Sequence, residues 1–224
     1  MIRKKCPEKK RILIVDDHPI VRQGLSMLIN RNDDLLVCGH AADISEAMEA
    51  VRVLKPDMAI VDISLKDANG IELVKDIKAY DPELPVLILS MHDESLYAER
   101  ALRAGAKGYI MKQEGTEKLI SAIRAVLSGR IHISDRLTGR LINKMVSGPV
   151  ETGGSPLETL SDRELEVFLL IGKGERTRQI SSQLHLSPKT IETYRSHIKE
   201  KLNLGSSTEL LQHAIQWVNS TAEG

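Results

Sequence analysis

Five short apolar runs divide the first 130 residues: RILIVD (11–16), LLVCGHA (35–41), DMAIVD (57–62), PVLILS (85–90) and GYIM (108–111). Segments of helical period lie between and after them, at 18–30, 43–54, 70–79, 94–104 and 116–129. Strands that alternate one for one with helices build βαβ units, and right-handed crossovers put the helices on both faces of a parallel sheet. Strands covered on both faces read as continuous apolar runs, as these do. Helix punctuation agrees. Asp43 stands at an N-cap with Glu46 at the capping-box position, Pro56 stops that helix, and Gly105 follows 94–104 as a C-terminal cap. The expected fold is α/β, a doubly wound five-stranded parallel sheet.

HISDRLTGRLINKMVS (132–147) reads as a further helix, and GPVETGGSP (148–156) has the composition of a linker. Beyond it, Ser161 and Glu164 form a capping box that opens a helix. A second helix, 176–184, ends near His185. Ser187 caps a third, with Pro188 at its first position, that runs to about Leu202. A fourth starts near Ser206 or Ser207 and carries Trp217. These make a small all-α domain, and the turn between its second and third helices has helix-turn-helix character. The expected organisation is a tail at 1–10, an α/β domain at 11–130, a linker helix and linker at 131–156, and a helical domain at 157–220.

Aromatic residues are only 3% of the chain, so its core must be aliphatic, and a formal net charge of zero announces neither nucleic acid nor membrane. Cys6 and Cys38 lack any metal-ligand spacing and read as free thiols in a reducing compartment. The basic start has no apolar stretch behind it, so no signal peptide is expected. No run approaches the ~20 apolar residues of a membrane span. A cytoplasmic protein without a membrane partner is expected.

In an open parallel sheet, ligands bind at the carboxyl ends of the strands. The first strand ends in Asp16 and Asp17, the third in Asp62, the fourth in Ser90, and Lys112 follows the fifth. If the first and third strands are neighbours, three carboxylates converge, and such a cluster needs a cation. Oxygen ligands with room for water suit Mg²⁺. One carboxylate can then attack phosphorus, with an ammonium and a hydroxyl near the phosphoryl oxygens. Taken singly, each acidic residue could be a loop or helix cap; the five together argue for one site.

Residues 11–129 resemble a bacterial two-component receiver domain. The resemblance is carried by the DD pair at 16–17, by Asp62 in VDISLKDANG, and by Ser90, Tyr109 and Lys112. It implies the strand order 2-1-3-4-5 and a phosphoacceptor at Asp62. It also implies that Asp17, Asp62 and the backbone carbonyl of Ser64 hold Mg²⁺, with Asp16 completing the seat. Ser90 would swing toward the phosphoryl group and Tyr109 would turn inward. Two positions depart from the pattern: Lys66 and Gln113 stand where many receivers have Pro, so the loops after the third and fifth strands are expected to differ in shape.

Residues 157–218 resemble a LuxR-type helix-turn-helix domain, through LSDRELEVFLLIGKG and RTRQISSQLHLSPKTIETYRSHIKEKLNL. Nearly the whole chain is therefore similar to NarL/FixJ-family response regulators. Over 176–201, Arg176, Arg178, Lys189, Arg195, Lys199 and Lys201 outnumber Glu192 and Glu200, a basic cluster suited to phosphate contacts. Ile191, Tyr194, Ile198 and Leu202 form an inward stripe, leaving Glu192, Thr193, Ser196 and Lys199 outward. Lys189, Glu192, Thr193 and Ser196 are expected near bases, and Thr177, Arg195 and Lys201 on phosphates. The resemblance implies a transcription regulator, not an enzyme. A sensor histidine kinase would phosphorylate Asp62; dimerisation, double-stranded promoter DNA and possible contact with RNA polymerase follow. The alternative is a phosphorylation-independent DNA-binding dimer with a receiver-like dimerisation module. A phosphatase is disfavoured, because Ser64 occupies the place where one large family of aspartyl-phosphate phosphatases has a second Asp.

Overall fold

The computed structural model describes residues 9–65, 68–146 and 156–222. The chain divides into two compact units between Val146 and Ser147. In the first, β1 (Lys10–Val15), β2 (Leu35–Ala41), β3 (Met58–Val61), β6 (Val86–Ser90) and β7 (Gly108–Met111) form one parallel sheet in the order β2-β1-β3-β6-β7. The helices α1 (Pro19–Asn30), α2 (Ile44–Leu54), α3 (Gly70–Tyr80), α4 (Glu94–Arg103) and α5 (Thr116–Leu127) connect and follow them.

Double-sided burial explains the unbroken apolar runs. Ile12, Ile14, Met58, Ile60, Leu87 and Leu89 join Ile29, Leu119, Ile123 and Val126 in one core layer. Their alternates Leu13, Val15, Ala59, Val61 and Ile88 are buried as well. Each buried aliphatic side chain contributes roughly 1.5–3 kcal/mol, so the sheet cannot slip register without losing both layers. The expected Asp43 cap is present: its Oδ1 accepts from Glu46 N at 2.9 Å, and Glu46 Oε2 accepts from Ala42 N at 2.8 Å.

Two features differ from the sequence expectation. Ser64–Leu65 (β4) and Ala68–Asn69 (β5) pair antiparallel after the end of β3. The helix expected at 132–147 begins at Asp135 instead (α6, Asp135–Val146), because His132 is drawn into a parallel bridge with Gly108. This helix belongs to the first compact unit. Among the described residues no peptide bond is cis, Lys112–Gln113 included; Lys66 lies outside the described residues.

The second unit holds a 3₁₀ turn (Pro156–Thr159), α7 (Asp162–Gly172), α8 (Thr177–Gln183), α9 (Pro188–Lys201) and α10 (Ser207–Ala222). α7 opens on the Ser161–Glu164 capping box. α7 and α10 approach closely at Gly172, where a Cβ would stand 2.5 Å from Ala214 O. Between α8 and α9 the chain reverses through His185, at φ 53°, and Ser187 then caps α9 by accepting from Thr190 N. Ile191 and Ile198 of α9 are fully buried, and Tyr194 and Leu202 are half-buried. The linker-like stretch 148–155 lies outside the described residues.

Candidate functional site

The ladder delivers the carboxylates. Asp16 N donates to Ala41 O at 3.1 Å and Asp62 N to Val15 O at 2.8 Å, so β1 and β3 end side by side. Gly70 permits the turn after β3. Its N donates to Ile63 O at 2.7 Å, and a Cβ there would stand 2.0 Å from Asp62 O. Asn69 caps α3 through its Oδ1 on Ile71 N.

Asp16 and Asp62 are buried, 2% and 4% exposed. Lys112 Nζ donates to both, at 2.6 Å to Asp16 Oδ2 and 2.7 Å to Asp62 Oδ2. Burial raises the Asp62 carboxyl to about 6, with the Asp16 charge adding to the rise. Lys112 and the Ser64 N–H work against it, so Asp62 stays ionised at neutral pH. Burial pushes Lys112 down, but the two carboxylates outweigh this and hold it above its ordinary value.

Asp17 lies at the mouth of the pocket. Its Oδ1 is buried and accepts no hydrogen bond, although His18 Nδ1 comes within 2.6 Å. Asp16, Asp17, His18 and Asp62 can bring one ligand atom each within 4.8 Å of one another. Three carboxylates in one oxygen-rich cluster fit a hard divalent cation. His18 was not singled out from the sequence, although it adjoins the acidic pair.

Across the pocket, Ser90 is fully buried at the end of β6. Its Oγ accepts from His92 N at 3.0 Å. Tyr109 is also buried and donates its hydroxyl to His92 O at 2.8 Å; burial raises its pKa. Ser64 Oγ meets His92 Nε2 at 2.8 Å. His92 thus ties together three of the residues singled out from the sequence, a role no local pattern announces.

In the second unit, Lys189, Glu192, Thr193 and Ser196 are exposed on α9, while Arg195 and Lys199 are partly covered. Thr177 Oγ1 donates to Glu192 Oε1 at 2.8 Å, and Arg195 Nε lies 3.9 Å from Glu192 Oε2. Lys201 Nζ is engaged within the unit, 2.6 Å from Glu164 Oε2. Lys201 and the capping interactions outweigh burial and hold Glu164 below the ordinary carboxylate range.

Residues 12–124 match the response regulator receiver domain, and residues 158–214 match the bacterial regulatory proteins of the luxR family. The chain belongs to the LuxR-type response regulators. Members of this family regulate transcription by binding DNA and are not enzymes. The oxygen regulatory protein NreC of Staphylococcus carnosus is 40% identical over 210 residues, covering 92% of this chain and 97% of that protein. A LuxR-family response regulator from Aurantimonas is 37% identical, with a TM-score of 0.58 over 62% of this chain and 99% of that one. RcsB from Salmonella enterica serovar Typhimurium, solved on promoter DNA with a phosphomimetic, is 27% identical, with a TM-score of 0.60 over 92% of this chain and 98% of that one. A receiver domain implies a sensor kinase as partner. Among the described residues no helix is long and apolar enough to cross a membrane.

Proposed function

We propose that this response regulator is switched by phosphorylation of Asp62. An oxygen of the Asp62 carboxylate attacks the phosphorus of a phosphohistidine on a sensor kinase; the P–N bond breaks and the imidazole leaves with its electron pair. Asp16, Asp17, Asp62 and the Ser64 carbonyl would hold Mg²⁺, which would offset the negative charge of the phosphoryl oxygens. Lys112 turns its ammonium to the same oxygens, and Ser90 rotates its hydroxyl toward them. Tyr109 stays inward behind Ser90. The observation that carries this reading is the buried Asp62 carboxylate, 2.7 Å from Lys112 Nζ and clustered with the Asp16 and Asp17 carboxylates.

Phosphorylated receivers then pair, and two helix-turn-helix units engage paired half-sites. Lys189, Glu192, Thr193 and Ser196 face bases. Arg195 and Lys199 lie toward phosphates, and Thr177 and Lys201 reach them by giving up their contacts with Glu192 and Glu164. RcsB dimers on DNA support this reading. DNA as the partner implies work in the cytoplasm, with RNA polymerase as a further contact. Intact mass after incubation with Mg²⁺ and a small-molecule phosphodonor tests it: one phosphoryl group is gained by the wild type and none by Asp62→Ala. An equal gain in both would refute Asp62 as the acceptor.

A further inference from the structure

The segment after α5 is seated on the sheet. Tyr109 N donates to His132 O at 2.8 Å, and His132 N donates to Lys107 O at 3.0 Å. Gly108 makes room for this approach, since a Cβ there would stand 2.9 Å from His132 O and 2.8 Å from Leu87 Cδ1. Two residues on, Ser134 N donates to Glu94 Oε1 at 2.8 Å. Ser134 Oγ caps α6 by accepting from Leu137 N at 3.1 Å. Leu137 is buried beside a cavity of about 100 Å³ shared with Asp93, Glu94 and Met111.

Both anchors are joined to the pocket. Glu94 opens α4, four residues after Ser90. His92, between them, donates its N–H to Ser90 Oγ and accepts the Tyr109 hydroxyl on its carbonyl. Tyr109 itself holds His132 through its backbone. When Ser90 Oγ turns toward a phosphoryl group, His92 N loses its acceptor and the turn leading to Glu94 must resettle. The Ser134–Glu94 bond weakens steeply with distance and angle, so a displacement of about 1 Å ends it. Since α6 is capped by Ser134 itself, Glu94 is not needed to start that helix; its role is to tie the helix down.

We propose that Glu94 is a positioning residue of the phosphorylation response, acting through Ser134. Its carboxylate seats residues 132–137 on β7 and α4 in the unphosphorylated protein and releases them when Asp62 is phosphorylated. Residues 135–146 lead on to the DNA-binding domain, so the release frees the connection at its root. The inference rests on Asp62 as phosphoacceptor.

Hydrogen–deuterium exchange on the full chain tests it, with intact mass reporting phosphoryl uptake. In the wild type, uptake raises exchange across 132–137 by about tenfold or more, the scale set by losing one hydrogen bond to a charged acceptor. Glu94→Ala shows the raised exchange without phosphodonor, and added donor changes it little. Glu94→Gln keeps an acceptor oxygen and restores the wild-type response, which general damage to α4 would not permit. Unchanged exchange at 132–137 in phosphorylated wild type, or wild-type exchange in unphosphorylated Glu94→Ala, would overturn the proposal. Absence of any mass gain in the wild type would count against the Asp62 reading instead, and the two variants without donor would still decide the seat.

Discussion

Lys112 Nζ stands between Asp16 and Asp62, 2.6 and 2.7 Å from one oxygen of each, where both carboxylates are nearly excluded from water. Removing one member of a buried charge network leaves the others uncompensated, at a cost of about 3–5 kcal/mol. Lys112→Met should therefore lower metal-free stability by this order at pH 8. Part of the loss should return at pH 5, as a carboxylate takes up a proton. Urea unfolding at the two pH values measures both effects.

The pH dependence of the wild type has its own sign. Asp62 titrates near 6 in the folded chain, against 3.8 ordinarily. The folded state therefore binds this proton more tightly than the unfolded state. Stability gains as pH falls through 6, and the gain is complete below the unfolded value. Relative to Asp62→Asn, the metal-free wild type should gain about 1–3 kcal/mol between pH 7.5 and pH 4.5.

Mg²⁺ should stabilise the wild type, because it neutralises charges that burial makes costly. At a hundredfold excess over its dissociation constant the gain is about 2.7 kcal/mol, a rise of several degrees in a thermal melt. Asp17→Asn removes one of the clustered negative charges and should abolish most of the rise while leaving the metal-free melt within about 1 kcal/mol of the wild type.

Gly70→Ala tests the turn that presents Asp62. The added Cβ would meet Asp62 O at 2.0 Å, and backbone cannot yield as a flexible side chain can. A destabilisation of about 1–3 kcal/mol is expected, together with slower phosphoryl uptake at Asp62 in an intact-mass time course.

Glu164 accepts from Ser161 N and from Lys201 Nζ, at 2.7 and 2.6 Å. Glu164→Gln should cost the second domain about 1–2 kcal/mol at pH 7. Glu164 is held below its ordinary pKa of 4.5, so this advantage is present above that value and disappears as pH falls through the depressed one. The substitution also frees the Lys201 ammonium, so DNA affinity at fixed salt should rise while the salt dependence stays as in the wild type, which already makes this phosphate contact in the complex.

The sheet was legible in the sequence because burial on both faces demands unbroken apolar runs. The residues closing those runs, Asp16, Asp17, Asp62 and Ser90, followed from the rule that such sheets bind at their carboxyl ends. The pairing of Ser64–Leu65 with Ala68–Asn69 was not legible, since strands of two residues carry no period. Nor was the extended segment before α6: His132 is fixed by room left at Gly108, 24 residues earlier. His92 works mainly through its backbone, which side-chain chemistry does not reveal. The pairing of Lys201 with Glu164 spans 37 positions and depends on how α7 and α9 pack.

The most direct measurement is the affinity of the full chain, at one fixed salt concentration, for DNA sites selected from a random pool, before and after phosphoryl uptake at Asp62. An increase of at least tenfold in the wild type is expected, with a matching rise in dimer by sedimentation and neither change in Asp62→Ala. Equal affinity and equal dimer content, with the phosphoryl group confirmed by mass, would contradict phosphorylation control and leave a DNA-binding dimer that does not need it.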